Sequence, residues 1–177
     1  MGTYFVLRIK LNLGKMDMMT NTLREAQINP FLEKRIEVAR NANTLFGVLL
    51  VDIDNFKKIN SDYNHEVGNN ILCELAEIIR PRSKGEEIFR YGGDEFLIVI
   101  NIDQDEVNIT NQNERNCWGY AGRILREVRS HSFPGDINSS DISLNVSCGC
   151  LVTDGKENVR ALHEPSLARQ SNGSRKM

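Results

Sequence analysis

Two adjacent glycines between two apolar stretches, with two acids directly behind them, constrain this chain more than any other feature: Arg90-Tyr91-Gly92-Gly93-Asp94-Glu95-Phe96. Residues 87–91 and 95–101 read as the two arms of an antiparallel hairpin around that turn. One glycine, often beside Asn or Asp, is enough for a tight hairpin. Carboxylates abutting a backbone without side chains suggest instead that a large anion is brought in close, with metal ions between. A second acidic site stands earlier in the chain. Residues 46–52 are a continuous apolar run ending in Asp52, with Asp54, Lys57 and Lys58 just beyond. Such a run suits a central strand covered on both faces. Two strands ending in acids, with lysines beyond one of them, meet the needs of two-metal phosphoryl chemistry.

Helical signals separate these strands. Asn29-Pro30 reads as a helix start, with Asn as cap and Pro in the first helical position. Phe31, Leu32, Ile36 and Ala39 then keep helical spacing to about residue 41. Residues 53–65 read as the loop after the apolar strand. Val67, Ile71, Leu72, Leu75, Ile78 and Ile79 form one helical face that Pro81 ends. A polar stretch over 101–116 reads as a surface loop. Tyr120, Ile124, Leu125 and Val128 mark another helix, and Phe133-Pro134-Gly135 a turn. Ile142, Leu144, Val146 and Cys148 alternate as a half-buried strand does. After Gly155 the pattern fades. Strands alternating with helices, plus an antiparallel hairpin, predict an α/β (α+β) fold: a single mixed sheet flanked by helices.

A chain of 177 residues fits one domain with a real core. With 22 Lys and Arg against 24 Asp and Glu it carries no basic field for general nucleic-acid binding. Its apolar start is interrupted by Arg8 and Lys10, which suits neither a signal peptide nor a membrane span. The expected location is cytoplasmic. Cys148 and Cys150, two apart on a strand, point to one face in poor geometry for a disulfide. No cysteine pair has zinc spacing. All four cysteines, at 73, 117, 148 and 150, are therefore expected to be structural thiols.

The motif at 92–96, together with its surroundings, resembles the catalytic domain of diguanylate cyclases, the GGDEF family. Asp17-Met18-Met19-Thr20 resembles the family's opening Asp-x-Leu-Thr, and Asp52-Ile53-Asp54-x-Phe56-Lys57-x-Ile59-Asn60-x-x-Tyr63-x-His65-x-x-Gly68 follows its first long motif. Val146-Ser147-Cys148-Gly149 resembles its late strand motif. The resemblance covers roughly residues 17–175 and is most specific through 46–100; residues 1–16 stand outside it as an N-terminal extension or linker remnant, leaving 17–177 as the domain.

The resemblance implies a palm-like fold and a metal-dependent condensation of two GTP into cyclic di-GMP with release of pyrophosphate. It implies Mg²⁺ or Mn²⁺ held by Asp52, the carbonyl of Ile53 and Asp94. It also implies help from Asp94 in deprotonating the 3′-hydroxyl, and a metal or water contact from Glu95. Amides of Asn55, Phe56 and Lys57 would cradle the triphosphate beside Gly92 and Gly93, with Lys58 adding charge. Asn60 and Asn69 take the base-contacting positions, the second of which is Asp in the family. Arg169 and Arg175 are the candidate triphosphate cations of a C-terminus that departs from the family pattern and is broken by Pro165. Asn64 replaces a family glycine, and His65 reads as a structural hydrogen-bonding residue. Ser83 and Glu86 occupy the positions of the family's inhibitory Arg-x-x-Asp, so product inhibition is not expected. Because each site takes one triphosphate, a second copy of the domain is required. Asn69 and the altered C-terminus leave two alternatives: a cyclase with relaxed base choice, using ATP and making mixed or adenine-containing dinucleotides, and a weakly catalytic GTP-binding signalling domain.

Overall fold

The computed structural model describes residues 14–81, 85–102, 111–135 and 140–156, with the backbone alone over 111–116. Three strands pair along most of their length: β3 (Phe46–Ile53), β5 (Glu95–Asn101) and β6 (Val146–Thr153). β3 lies in the middle, antiparallel to both neighbours. β4 (Glu87–Arg90) continues the sheet beside β5 as the other arm of the glycine hairpin. β2 (Thr22–Arg24) adds a parallel edge to β4, and β1 (Met16–Asp17) closes that side. The result is the single mixed sheet that the sequence predicts, here six-stranded in the order β1-β2-β4-β5-β3-β6, with β1 and β2 as short edge strands beyond those read from the sequence.

The central position of β3 explains its unbroken apolar run. Phe46 and Val48 face α1 (Ile28–Ala42), which buries Ile28, Leu32, Ile36 and Ala39 against that side together with Phe89, Leu97 and Val99. Leu49, Val51 and Ile53 face the opposite layer, built by α3 (His65–Ile79) and α4 (Asn111–Ser130). The alternation places Asp52 on the α1 side, beyond the residues that α1 covers.

Several boundaries differ from the sequence reading. The segment 53–65 contains a short helix, α2 (Phe56–Asp62), held on the core by Phe56, Ile59 and Tyr63 rather than by a long apolar stripe. α1 begins at Ile28 after a 3-10 turn (Glu25–Gln27), so Asn29 is not its cap. Pro30 is tolerated because first-turn amides lack intrahelical acceptors in any case. α4 begins at Asn111, within the stretch read as loop. β6 starts at Val146; Ile142 makes only an isolated bridge to Phe133.

The cysteines also depart from expectation. Cys117 on α4 and Cys150 on β6 form a disulfide, with Cα atoms 6.4 Å apart. Cys73 and Cys148 are free, and burial pushes the Cys148 thiol up to about 12, with the Asp54 charge adding to it. The packing of α4 across β6 joins residues 33 apart in sequence, so no local spacing could announce the pair.

Asn64 carries a measurable strain. Its φ of 154° and ψ of 174° lie in a region that is essentially glycine-only and costs roughly 1–3 kcal/mol for other residues. Its side chain partly compensates by capping α3, accepting from the Val67 amide at 2.9 Å. Exchanging an Asn cap for Gly costs only a few tenths of a kcal/mol, and the added freedom of the unfolded chain about 0.4–1 kcal/mol. Asn64→Gly is therefore expected to stabilise the fold by about 1 kcal/mol in urea unfolding; a lower midpoint would show that the cap outweighs the strain.

Candidate active site

The ladder between β3 and β5 places Asp52 directly opposite Glu95, and the ladder between β3 and β6 places Asp52 opposite Ser147. Directly opposed residues share a face, so Glu95, Asp52 and Ser147 form a row across the end of the sheet. The next positions inward on that face are Leu97, Leu50 and Gly149; Leu97 is buried, while a Cβ added at Gly149 would meet nothing within 4 Å. The sheet beside the acids is therefore open on its β6 side. Asp94 lies one residue before Glu95, on the turn itself.

The two glycines serve different purposes, and neither has a positive φ. A Cβ on Gly92 would come within 2.7 Å of the Glu95 carboxylate, so Gly92 makes room for that side chain to fold back over the turn. A Cβ on Gly93 would meet nothing within 4 Å, which leaves its backbone open to approach. The turn is closed by Tyr91 and Gly92 amides donating to the Glu95 carbonyl at 2.9 and 3.2 Å.

Burial, then the charges of Asp52 and Asp94, raise the Glu95 carboxyl above its ordinary range. A divalent cation would reverse that penalty, since an opposite charge within a few ångströms favours the ionised form. No ready-made cage of three or more His, Cys, Asp or Glu side chains exists among the described residues. The donor set is instead a few carboxylates plus a carbonyl, which fits the habit of Mg²⁺ to complete its shell with water and phosphate oxygens.

The Ile53 carbonyl is aimed by its neighbours. The Ile53 amide donates to the Asp94 carbonyl at 3.4 Å, and the Asp54 amide donates to the Asn145 carbonyl on the opposite side at 3.0 Å. In a trans peptide the N–H and C=O point opposite ways, and no peptide in the described residues is cis. The Ile53 carbonyl therefore points toward the glycine hairpin, where Asp94 and Glu95 lie.

Other predicted residues gather around this end. Asn55 is left-handed, with φ 59°, and turns the chain from β3 into α2; its side chain does not cap the helix. The amides of Phe56 and Lys57 therefore open α2 without that side-chain acceptor. Lys57 is exposed, whereas Lys58 is ion-paired with Asp62 along the helix, so its charge is partly spent there. Asn60 packs against the bare backbone of Gly68: a Cβ there would collide with its Oδ1 at 2.0 Å. The other base-contacting candidate, Asn69, follows Gly68 on α3 and is exposed. His65 begins α3 and is exposed. Glu86 accepts from the Asn101 amide at 3.0 Å, which ties it to the end of β5. Ser83, Pro165, Arg169 and Arg175 lie outside the described residues.

One contributor was not singled out by the sequence reading. Arg90 donates to the Gly93 carbonyl at 2.8 Å and to Asp17 at 3.3 Å, bracing the turn against the β1–β2 corner. Asp17 also accepts from the Thr20 amide and hydroxyl at 3.0 and 2.8 Å. Burial pushes the Asp17 carboxyl up, but these bonds and the Arg90 charge outweigh it and hold it below its ordinary value. The available signal was an arginine immediately before the turn and an acid in the opening motif, whose meeting depends on the parallel pairing of β2 with β4.

Comparison with known proteins agrees with this fold. Residues 14–166 match the family described as diguanylate cyclase, GGDEF domain. Diguanylate cyclase DosC of Escherichia coli K12 is 29% identical over 148 residues, covering 83% of this chain and 30% of that protein. The bifunctional diguanylate cyclase/cyclic di-GMP phosphodiesterase MucR of Pseudomonas aeruginosa is 27% identical over 151 residues, covering 85% of this chain and 20% of its own length. The chain thus spans less than a third of these curated relatives. Among solved structures, the GGDEF domain of DgcB from Caulobacter crescentus, in complex with c-di-GMP, superposes with a TM-score of 0.72 at 21% identity, covering 84% of this chain and 81% of that one. Diguanylate cyclase SiaD from Pseudomonas aeruginosa, solved with its activator SiaC, gives 0.70 at 19% identity, covering 89% and 58%. The two structures support the fold, and the match over residues 14–166 shows that this chain belongs to the diguanylate cyclase GGDEF-domain family.

Proposed function

We propose that the chain is a diguanylate cyclase, condensing two GTP into cyclic di-GMP with release of two pyrophosphates. The observation that carries this reading is the register of the acids: Asp52 faces Glu95 across the ladder, with Asp94 on the turn, at an end of the sheet that is open on its β6 side. Asp52, Glu95 and the Ile53 carbonyl, extended by Asp94 from the turn, would hold Mg²⁺ or Mn²⁺. When bound, the ion neutralises phosphate charge and polarises the reacting oxygens.

The remaining roles belong to the chain itself. The amides opening α2 and the Lys57 ammonium take the triphosphate, and the bare backbone of Gly93 lets it approach. Asp94 accepts the proton of the attacking 3′-hydroxyl. Asn60 and Asn69 orient the base. Arg169 and Arg175 are proposed as further triphosphate cations. Residues 17–177 act as the catalytic domain, with 1–16 as an N-terminal extension or linker remnant. No helix among the described residues is long and apolar enough to cross a membrane.

A second reading rests on Asn69, whose amide matches the donor–acceptor edge of adenine better than that of guanine. Incubating the purified chain with GTP, with ATP and with both, in the presence of Mn²⁺, and weighing the products separates the two. Cyclic di-GMP from GTP is the expected product; no dinucleotide in any mixture overturns the cyclase reading.

Each 3′-hydroxyl attacks the α-phosphate held by another copy, so the rate per protomer is expected to rise with protein concentration. The formal charge of −2 gives little long-range steering, and encounter must rest on local contacts. A rate per protomer that stays flat over a hundredfold dilution, with sedimentation showing monomer throughout, would sink the paired-site mechanism.

A further inference from the structure

We infer that Ser147 and Asp54 are positioning residues that hold the Ile53 carbonyl toward the glycine hairpin, a role that rests on the metal–nucleotide reading above. The need for such a device follows from the way β3 ends. Its ladder with β6 reaches Ile53 opposite Val146, and two residues later Asn55 turns left-handed to begin α2. The peptide between Ile53 and Asp54 therefore sits at the junction of strand and turn, where regular pairing no longer fixes its plane.

Two contacts from the β6 side fix it instead. The Asp54 amide donates to the Asn145 carbonyl at 3.0 Å, and the Ser147 hydroxyl donates to Asp54 Oδ1 at 2.7 Å. Both pull Asp54 away from the hairpin, and peptide planarity turns the Ile53 carbonyl the other way. Ser147 can do this because it shares the face and the row of Asp52, one strand over. The same clamp sets the direction in which α2 leaves the sheet, and with it the placement of Lys57 and Asn60. A carboxylate is the stronger acceptor for this hydroxyl, but an amide oxygen at position 54 can still receive it. A charge-dependent role for Asp54 as a direct cation ligand could not survive that exchange.

The test is binding of Mn²⁺, followed by electron paramagnetic resonance, in the presence of an α,β-methylene analogue of GTP that cannot react. Outer contacts of this kind typically change metal affinity 10–100-fold. Ser147→Ala and Asp54→Ala are expected to weaken Mn²⁺ by about tenfold with melting temperatures close to the parent's. Ser147→Thr and Asp54→Asn, which keep the hydroxyl donor and the oxygen acceptor, are expected to retain most of the affinity. Parent-like binding by Ser147→Ala overturns the positioning role alone, as does a loss in Asp54→Asn equal to that in Asp54→Ala. A parent chain that binds no Mn²⁺ with the analogue, or an Asp52→Ala chain that binds it equally well, overturns the metal–nucleotide reading and this inference together.

Discussion

Asp52→Ala and Asp94→Ala are each expected to remove two to three decades of turnover while leaving the fold at least as stable as the parent. The loss corresponds to about 3–4 kcal/mol of electrostatic stabilisation of the reacting phosphate, the usual scale for removing one charged or polar partner at a reacting centre. The stability expectation has the opposite sign for a structural reason. Asp52 faces Glu95 across the ladder, and both Asp52 and Asp94 raise the Glu95 carboxyl. Deleting either acid relieves like-charge repulsion in the metal-free protein, and neither belongs to the buried core. Stopped-assay product analysis with GTP and Mn²⁺, paired with thermal melting in EDTA, checks both halves. Turnover at the parent rate would remove the acids from the mechanism. A large drop in melting temperature would instead make them structural.

Asn69→Asp is expected to sharpen selectivity for GTP over ATP by about one to two decades. Guanine offers two donors, N1–H and the 2-amino group, along its Watson–Crick edge. A carboxylate can accept both, whereas an Asn amide has one acceptor and one donor. The amide NH₂ then meets a guanine donor, while adenine's N1 acceptor and 6-amino donor match the amide pattern. Exchanging a charge-assisted hydrogen bond for a mismatched one costs roughly 1.5–3 kcal/mol. Asn60 packs on Gly68, the residue before the exposed Asn69, so both proposed base contacts come from the packing of α2 on α3. Asn60 is expected to retain part of the guanine preference, so GTP is expected to remain the better substrate of the parent chain, with ATP detectably used. The comparison is of kcat/KM for the two nucleotides. A parent that already rejects ATP by more than about four decades would show that Asn69 does not read the base, since matching at that level needs a fully complementary edge.

The sequence by itself announced β3, β4, β5 and the start of β6, together with the main helices, while the short edge strands β1 and β2 went unread. Residues 46–52 suited a strand covered on both sides, because apolar groups without alternation need two apolar layers. Gly92-Gly93 between apolar arms could only be a hairpin, and the family followed from the acids at fixed places around it. These are local facts, carried by periodicity and by backbone permissiveness. Short elements held from outside were not legible in this way. α2 has no long apolar stripe of its own, and it is a helix because Phe56, Ile59 and Tyr63 meet the core. The Cys117–Cys150 link, the brace of Arg90 on Asp17, and the clamp of Ser147 on Asp54 join residues far apart in the chain. Only tertiary structure decided that Glu95 rather than Asp94 stands level with Asp52, because register is a property of two strands together: a slip of one residue would turn every side chain to the other face.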